Sequence, residues 1–183
     1  MVDASLEVLA SLSSGVGCQL AVRLYPADGV RLRDSGQLEL ARFVCAQADP
    51  RWRARFEVPI GRPPDRRAGD IVLDQAAEAI LLEIETRLSD FQAQLRSAQL
   101  KRASLSEHLV SPVRLVIALR DTSGNRRLVA AHSDVVRQAL PLNAARVWRS
   151  IRGGTPLGGD GLIWLRTRPD ARAGEPRVNS VAG

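Results

Sequence analysis

The chain has 183 residues, a hydrophobic content of 45% and a charged content of 25%, the profile of one globular domain with a sizeable core. Its net charge is +6 with a pI near 10.8, and Lys101 is the only lysine among 26 basic residues. This basic balance favours polyanionic partners. Aromatics at 4% disfavour a binder built on stacked aromatic platforms, and two histidines are too few for a His-rich metal site.

In chain order, Asp3 can cap a short helix over 4–12, which Gly15 would end. The alternating "CQLAVRLYP" reads as a strand closed by Pro26. Asp34 or Ser35 can cap a helix that runs to about Ala48, with Leu38, Ala41, Val44 and Cys45 on its apolar face. Cys18 and Cys45 lack metal-ligand spacing and read as buried thiols.

"RWRARFEVPI" alternates most clearly. Trp52, Ala54, Phe56 and Val58 are expected on one face, with Arg51, Arg53, Arg55 and Glu57 on the other. After the "GRPPDRRAG" loop, strands are expected at 70–73 and 79–85, paired as a hairpin. A helix over 88–103 follows, then a buried strand in "VRLVIALRD" and a "TSGN" loop capping one helix over 126–139. "LNAARVWRSI" reads as another helix, "RGGTPLGGDG" as a connector without the ending of a phosphate-binding loop, and "LIWLRT" as the last strand. The expected organisation is a single α/β domain over 1–168 with a helix–strand extension in front. A flexible tail is expected over 169–183. No signal peptide and no long apolar run is visible, so a cytoplasmic protein with no membrane partner is expected.

The most informative residues are Asp70, Glu83 and Glu85. They interrupt the apolar runs Ile71-Val72-Leu73 and Ile80-Leu81-Leu82. Residues at i and i+2 of a strand share a face, so Glu83 and Glu85 project together. Carboxylates beside a buried strand are costly unless paired. A divalent cation such as Mg²⁺ or Mn²⁺ is one partner, with arginines holding substrate phosphate. An ion-pair cluster with arginine is the plainer one. Asp65 and Asp74 rival Asp70, but Asp65 lies in a loop.

Arg87 lies close to the acids in sequence. Gln92, Arg96 and Gln99 share a helix face, and Gln92 is near enough to the helix start to reach a phosphate or an attacking water. Lys101 stands 14 residues beyond Arg87, about 21 Å along a helix, and is expected at a solvated helix end beside Arg102. Arg53 and Arg55 join Arg87 and Arg96 as candidate DNA-phosphate ligands. Glu39 and the Asn125-Arg126-Arg127 helix start are weaker candidates.

This order of elements, with acids at these places, resembles the PD-(D/E)XK restriction-endonuclease-like fold: a central mixed sheet with an antiparallel meander flanked by helices. Asp70 matches the family's aspartate and Glu83 its D/E position. Glu85 stands where lysine is usual, as in some Type II restriction enzymes. The stretches "AVRLYPADG", "WRARFEVPI", "DRRAGDIVL", "LEIETRLSDFQAQLR" and "NRR" are similar to the C-terminal region of actinobacterial phage-repressor-type helix-turn-helix regulators. The resemblance implies a metal-dependent nuclease-like domain with Asp70, Glu83, Glu85 and Gln92 as catalytic residues. The first three would ligate the metal. The alternative is a non-catalytic DNA-associated or ligand-sensing module. The expected partners are DNA and, in a homodimer, a second copy of the chain.

Overall fold

The structure is a computed structural model that describes residues 35–60 and 67–166, together with Val8, Ser11, Ser14 and Gly15. The chain divides into two compact units, Met1–Val30 and Arg31–Gly183. In the first, the four described residues are helical. The expected "CQLAVRLYP" strand, the tail and Asp65 lie outside the described residues.

The second unit is α/β. Its elements are α1 (Ser35–Gln47), β1 (Arg53–Pro59), β2 (Ala68–Gln75), β3 (Glu78–Glu85), α2 (Phe91–Ser106), β4 (Val113–Arg120), α3 (Ser123–Ala131), α4 (Ser133–Ala139), α5 (Ala144–Gly153) and β5 (Gly161–Leu165). The strands form one mixed sheet in the order β1-β2-β3-β4-β5. The first three make the expected antiparallel meander, while β3, β4 and β5 run parallel. A parallel neighbour requires a crossover, and α2 supplies it between β3 and β4.

The core has two sides. Leu40 and Val44 of α1 and Val147 and Ile151 of α5 pack on the sheet face carrying Ile71, Leu82 and Ile84. Phe91, Leu95 and Ala98 of α2 pack on the opposite face, against Val72, Leu81 and Leu119. Central β3 is therefore apolar on both faces except where its acids fall, which explains the run that Glu83 interrupts.

Local chemistry sets the helix ends. Asp90, Thr122 and Asn143 cap α2, α3 and α5 by accepting the N–H of Ala93, Asn125 and Arg146. Because Asp90 is the cap, α2 starts at Phe91, three residues later than the apolar pattern suggests. The single helix expected over 126–139 is two, parted at His132, whose ring stacks on Phe91 at 5.9 Å. The connector before β5 is held by acids. Buried Glu78 accepts the N–H of Leu157 and Gly158, and Asp160 accepts that of Leu115. At Gly161 a Cβ would lie 2.5 Å from Val147 Cγ2 and 3.1 Å from the Leu142 carbonyl oxygen. Gly161→Ala is expected to destabilise by about 1–3 kcal/mol through overpacking, read as a lowered urea midpoint with unchanged m.

The alternation expected along β1 breaks at Glu57. This non-glycine residue has φ of +46°, in the left-handed region. Phe56 packs on the α1/α5 face and Val58 on the α2 face, so Val58 is not on the face expected for it. The partner strand turns over at the same level. Ile71 faces α1, whereas a Cβ on Gly69 would meet Leu81 and come within 3.6 Å of Glu83 Oε1, on the α2 side. Glu57 and Asp70 mark the level at which both strands change phase.

Candidate active site

Asp70 owes its position to that phase change. The β2–β3 ladder ends with Ile71 opposite Leu82. Beyond it, Asp70 Oδ2 accepts the N–H of Ile84 at 2.7 Å, taking the place of a strand carbonyl. Gln37 of α1 donates to the Ile84 carbonyl at 2.6 Å and reaches Asp70 Oδ2 at 3.5 Å. The aspartate is thus locked to β3 by backbone and side chain, at the point where the strands part.

Glu83 and Glu85 point toward α2, as the i, i+2 spacing requires. With Asp70, Glu57, Lys101 and Gln94 they line one cleft of about 760 Å³ between the sheet and α2. Glu83 is 6% exposed. Lys101 Nζ donates to its Oε2 at 2.6 Å, whereas its Oε1 is buried without a hydrogen-bond partner. Burial and the neighbouring charge of Asp70 push the Glu83 carboxyl up to about 7, against the opposing pull of Lys101; the Glu85 charge adds to the rise.

Lys101 is the main correction to the sequence reading. It is not at a solvated helix end. The helix α2 leaves the C-terminal end of β3 and returns across the sheet face, so distance travelled along the helix is not distance from the acids. The expected separation measured contour length, and the crossover folds that contour back.

Other candidates separate cleanly. Gln92 and Arg96 are exposed and do not line the cleft; with α2 starting at Phe91, Gln94 occupies that side instead. Arg87 is also exposed outside the cleft. Arg53 is exposed, while Arg55 pairs with Asp74 at 2.7 Å, which removes Asp74 as a rival acid. Glu39 pairs with Arg120 at 3.7 Å, and Arg126 with Asp121 at 2.5 Å. Cys45 carries a thiol that burial raises to about 11, in keeping with an inert core position.

Gln37, Glu57 and Arg67, which also line the cleft, were not singled out by the sequence. Their signals are three-dimensional: an α1 side chain reaching past the sheet, a backbone reversal and a position just ahead of β2. No group of three or more acids, histidines or cysteines is set to hold an ion among the described residues. Asp70, Glu83 and Glu85 share the cleft without converging on one point, because Glu83 Oε2 is turned to Lys101 and Asp70 Oδ2 to the Ile84 amide. Also among the described residues, no helix is long and apolar enough to cross a membrane. Comparison of the chain with protein-family models, with curated proteins and with solved structures finds no match.

Proposed function

We propose that the protein is a metal-dependent nuclease-like domain of the restriction-endonuclease type, acting on DNA. The observation that carries this reading is Glu83: a buried carboxylate in the wall of the cleft shared with Asp70 and Glu85, with one oxygen on the sole lysine and the other buried without a hydrogen-bond partner. An all-oxygen set of this kind suits Mg²⁺ or Mn²⁺. Asp70 and Glu83 would hold the ion by turning from the Ile84 amide and Lys101, with Glu85 beside them. The bound ion would supply Lewis-acid chemistry toward a phosphoryl oxygen.

The chain's own groups have separate work. Lys101 brings to the cleft, from α2, the positive charge that Glu at position 85 leaves out of β3. Its ammonium can offset negative charge developing on a phosphate. Glu85, half-buried at the end of β3, can accept a proton from an attacking water. Gln37 keeps Asp70 fixed against Ile84. The net charge of +6 favours DNA through counterion release, with affinity falling steeply as salt rises.

Mn²⁺ titration followed by melting temperature tests the site. At roughly tenfold excess over Kd the expected stabilisation is about 1.4 kcal/mol, or about 3–6 °C, absent in Asp70→Asn and in Glu83→Gln. An equal shift in those variants would remove the metal site.

The second reading, a non-catalytic DNA-associated module, draws on the same pair. Lys101 and Glu83 neutralise each other at 2.6 Å in a largely shielded place, as in a settled ion pair. DNA binding without any metal-dependent stabilisation would favour it.

A further inference from the structure

Just beyond the parallel strands β4 and β5, two arginines meet on one carboxylate. Asp121 follows β4 and Arg166 follows β5. Arg126 of α3 donates to Asp121 through Nε at 2.5 Å and through a terminal nitrogen at 3.0 Å, so it takes both carboxylate oxygens. Arg166 donates through Nε alone, at 2.5 Å. The Asp121 side chain is 7% exposed and that of Arg166 is 80% exposed. One negative charge thus faces two positive ones. Arg126 is the neutralised partner. Arg166 is anchored with its charge in surplus, and its terminal nitrogens have no hydrogen-bond partner among the described residues. The bonds from both arginines hold the Asp121 carboxyl well below the usual carboxylate range, so the anchor stays ionised.

A third guanidinium lines the same notch, which has a volume of about 320 Å³. Arg152, in the last turn of α5, has no ion pair among the described residues. Because β5 is the last strand of the sheet, its C-terminal end can be reached from both faces. Trp164 packs on the α2 side and carries Arg126 at 4.6 Å; Trp148 packs on the α1/α5 side and carries Arg152 at 4.9 Å. Each indole is the backing of an arginine. The notch therefore presents Arg152 and Arg166 already placed, one by an indole and one by a carboxylate. An anion that binds them meets charge whose ordering has been met in advance.

The site is fixed relative to the acids. Buried Asn125, beside Arg126, accepts the N–H of Leu88 and donates to the Thr86 and Arg120 carbonyls, which ties the start of α3 to the chain leaving β3. Glu85 pairs with Leu119, and Leu119 with Trp164. This row sets the Glu85 and Trp164 backbones two inter-strand spacings apart, about 10 Å.

We propose that Arg152 and Arg166 clamp one backbone phosphate of a DNA duplex at this end of the sheet, beside the acidic cleft. This deepens the DNA-acting reading and rests on it: it names the arginines that hold the strand, in place of Arg53, Arg55, Arg87 and Arg96. A phosphate has oxygens enough for both guanidinium groups at once, the geometry in which arginine binds it most strongly.

The test is the anisotropy of a labelled DNA duplex of about twenty base pairs, titrated without metal over a series of salt concentrations. Arg152→Gln/Arg166→Gln should lower the log–log salt slope by about one and weaken binding about tenfold. Arg127→Gln/Arg137→Gln removes the same charge from exposed positions of α3 and α4 outside the notch, and should leave the slope unchanged. All four side chains are exposed, so both proteins should melt as wild type does. The proposal is overturned by an unchanged slope in Arg152→Gln/Arg166→Gln, or by an equal loss in the control. It is also overturned if inorganic phosphate competes as well as duplex at matched phosphate concentration, or if the matching RNA duplex binds more tightly. The Mn²⁺ shift separates this failure from that of the nuclease reading. Arg152→Gln/Arg166→Gln should keep the shift, and Glu83→Gln should lose it while keeping the salt slope. An Mn²⁺ shift beside an unaltered slope would sink the clamp alone.

Discussion

Lys101→Met is expected to destabilise the protein by about 3–5 kcal/mol near pH 8, because it leaves the Glu83 carboxylate buried and unpaired. Near pH 5 the cost should be much smaller. The Glu83 carboxyl, ordinarily near 4.5, is raised to about 7 in the folded protein. The folded state therefore binds this proton more tightly than the unfolded state does. Stability contributed by the neutral acid is full below the unfolded value and is lost as pH rises through the folded one. Removing the ammonium takes away a lowering influence, so the carboxyl should rise further and the loss should extend to higher pH. Glu83→Gln should flatten this dependence, and the double variant should recover most of the stability lost in Lys101→Met. Urea midpoints of the four proteins, measured at about pH 5 and about pH 8, decide it. A Lys101→Met cost that does not change with pH, or a double variant no better than the single, would mean that the pair does not govern this cleft.

The difficulty with Lys101 shows which parts of the fold the sequence carries. Period-two alternation and apolar runs fix strand identity, because side chains must alternate across a sheet with two buried faces. The meander, the existence of the two later strands and the placing of Glu83 and Glu85 on one face were legible, whereas the parallel pairing of β3, β4 and β5 was not. Helix phase was less so. Phe91 and Leu95 mark an apolar stripe, but only the side chain of Asp90 accepting the Ala93 N–H fixes the first residue of α2. An early start put Gln92 where Gln94 belongs.

The remaining features depend on tertiary closure. Glu57 looks like an ordinary outward residue until its positive φ is seen, and alternation is blind to a reversal shared by two paired strands. Gln37 reaches Asp70 from 33 positions away because α1 packs beside the parting of β2 and β3. A Cβ on Gly69 would stand 2.4 Å from Leu81 Cδ1 on the Glu83 side, so the glycine keeps that side of β2 open. No local pattern encodes such a relation. The arginines show the opposite limit. Net charge is a sum, but Arg55 and Arg126 are committed to Asp74 and Asp121, and only geometry tells committed charge from free.

Turnover separates an active nuclease from a scaffold that has kept its acids. Purified protein with Mn²⁺ or Mg²⁺ is expected to nick DNA slowly, with supercoiled plasmid and single-stranded DNA as parallel substrates, and Glu83→Gln should abolish the cleavage. Lys101→Met should lower the rate by about 10²-fold, the scale of losing one preorganised charge beside a developing anion. Since that variant is also predicted to be less stable, its rate is to be compared with wild type below its melting transition and across a pH series, because Glu83 must be ionised to ligate the ion. Adding Glu85→Lys to Lys101→Met is the decisive construction. It returns a positive charge from β3 in place of the one removed from α2. If rate recovers, the position of the charge in the cleft matters and not the element that carries it, and the proton acceptor proposed at Glu85 is dispensable. Equal nicking by wild type and Glu83→Gln would identify a contaminating enzyme. No nicking by any of the proteins, with DNA binding intact, would leave the acids and Lys101 as an ion-pair cluster that holds α2 to the sheet.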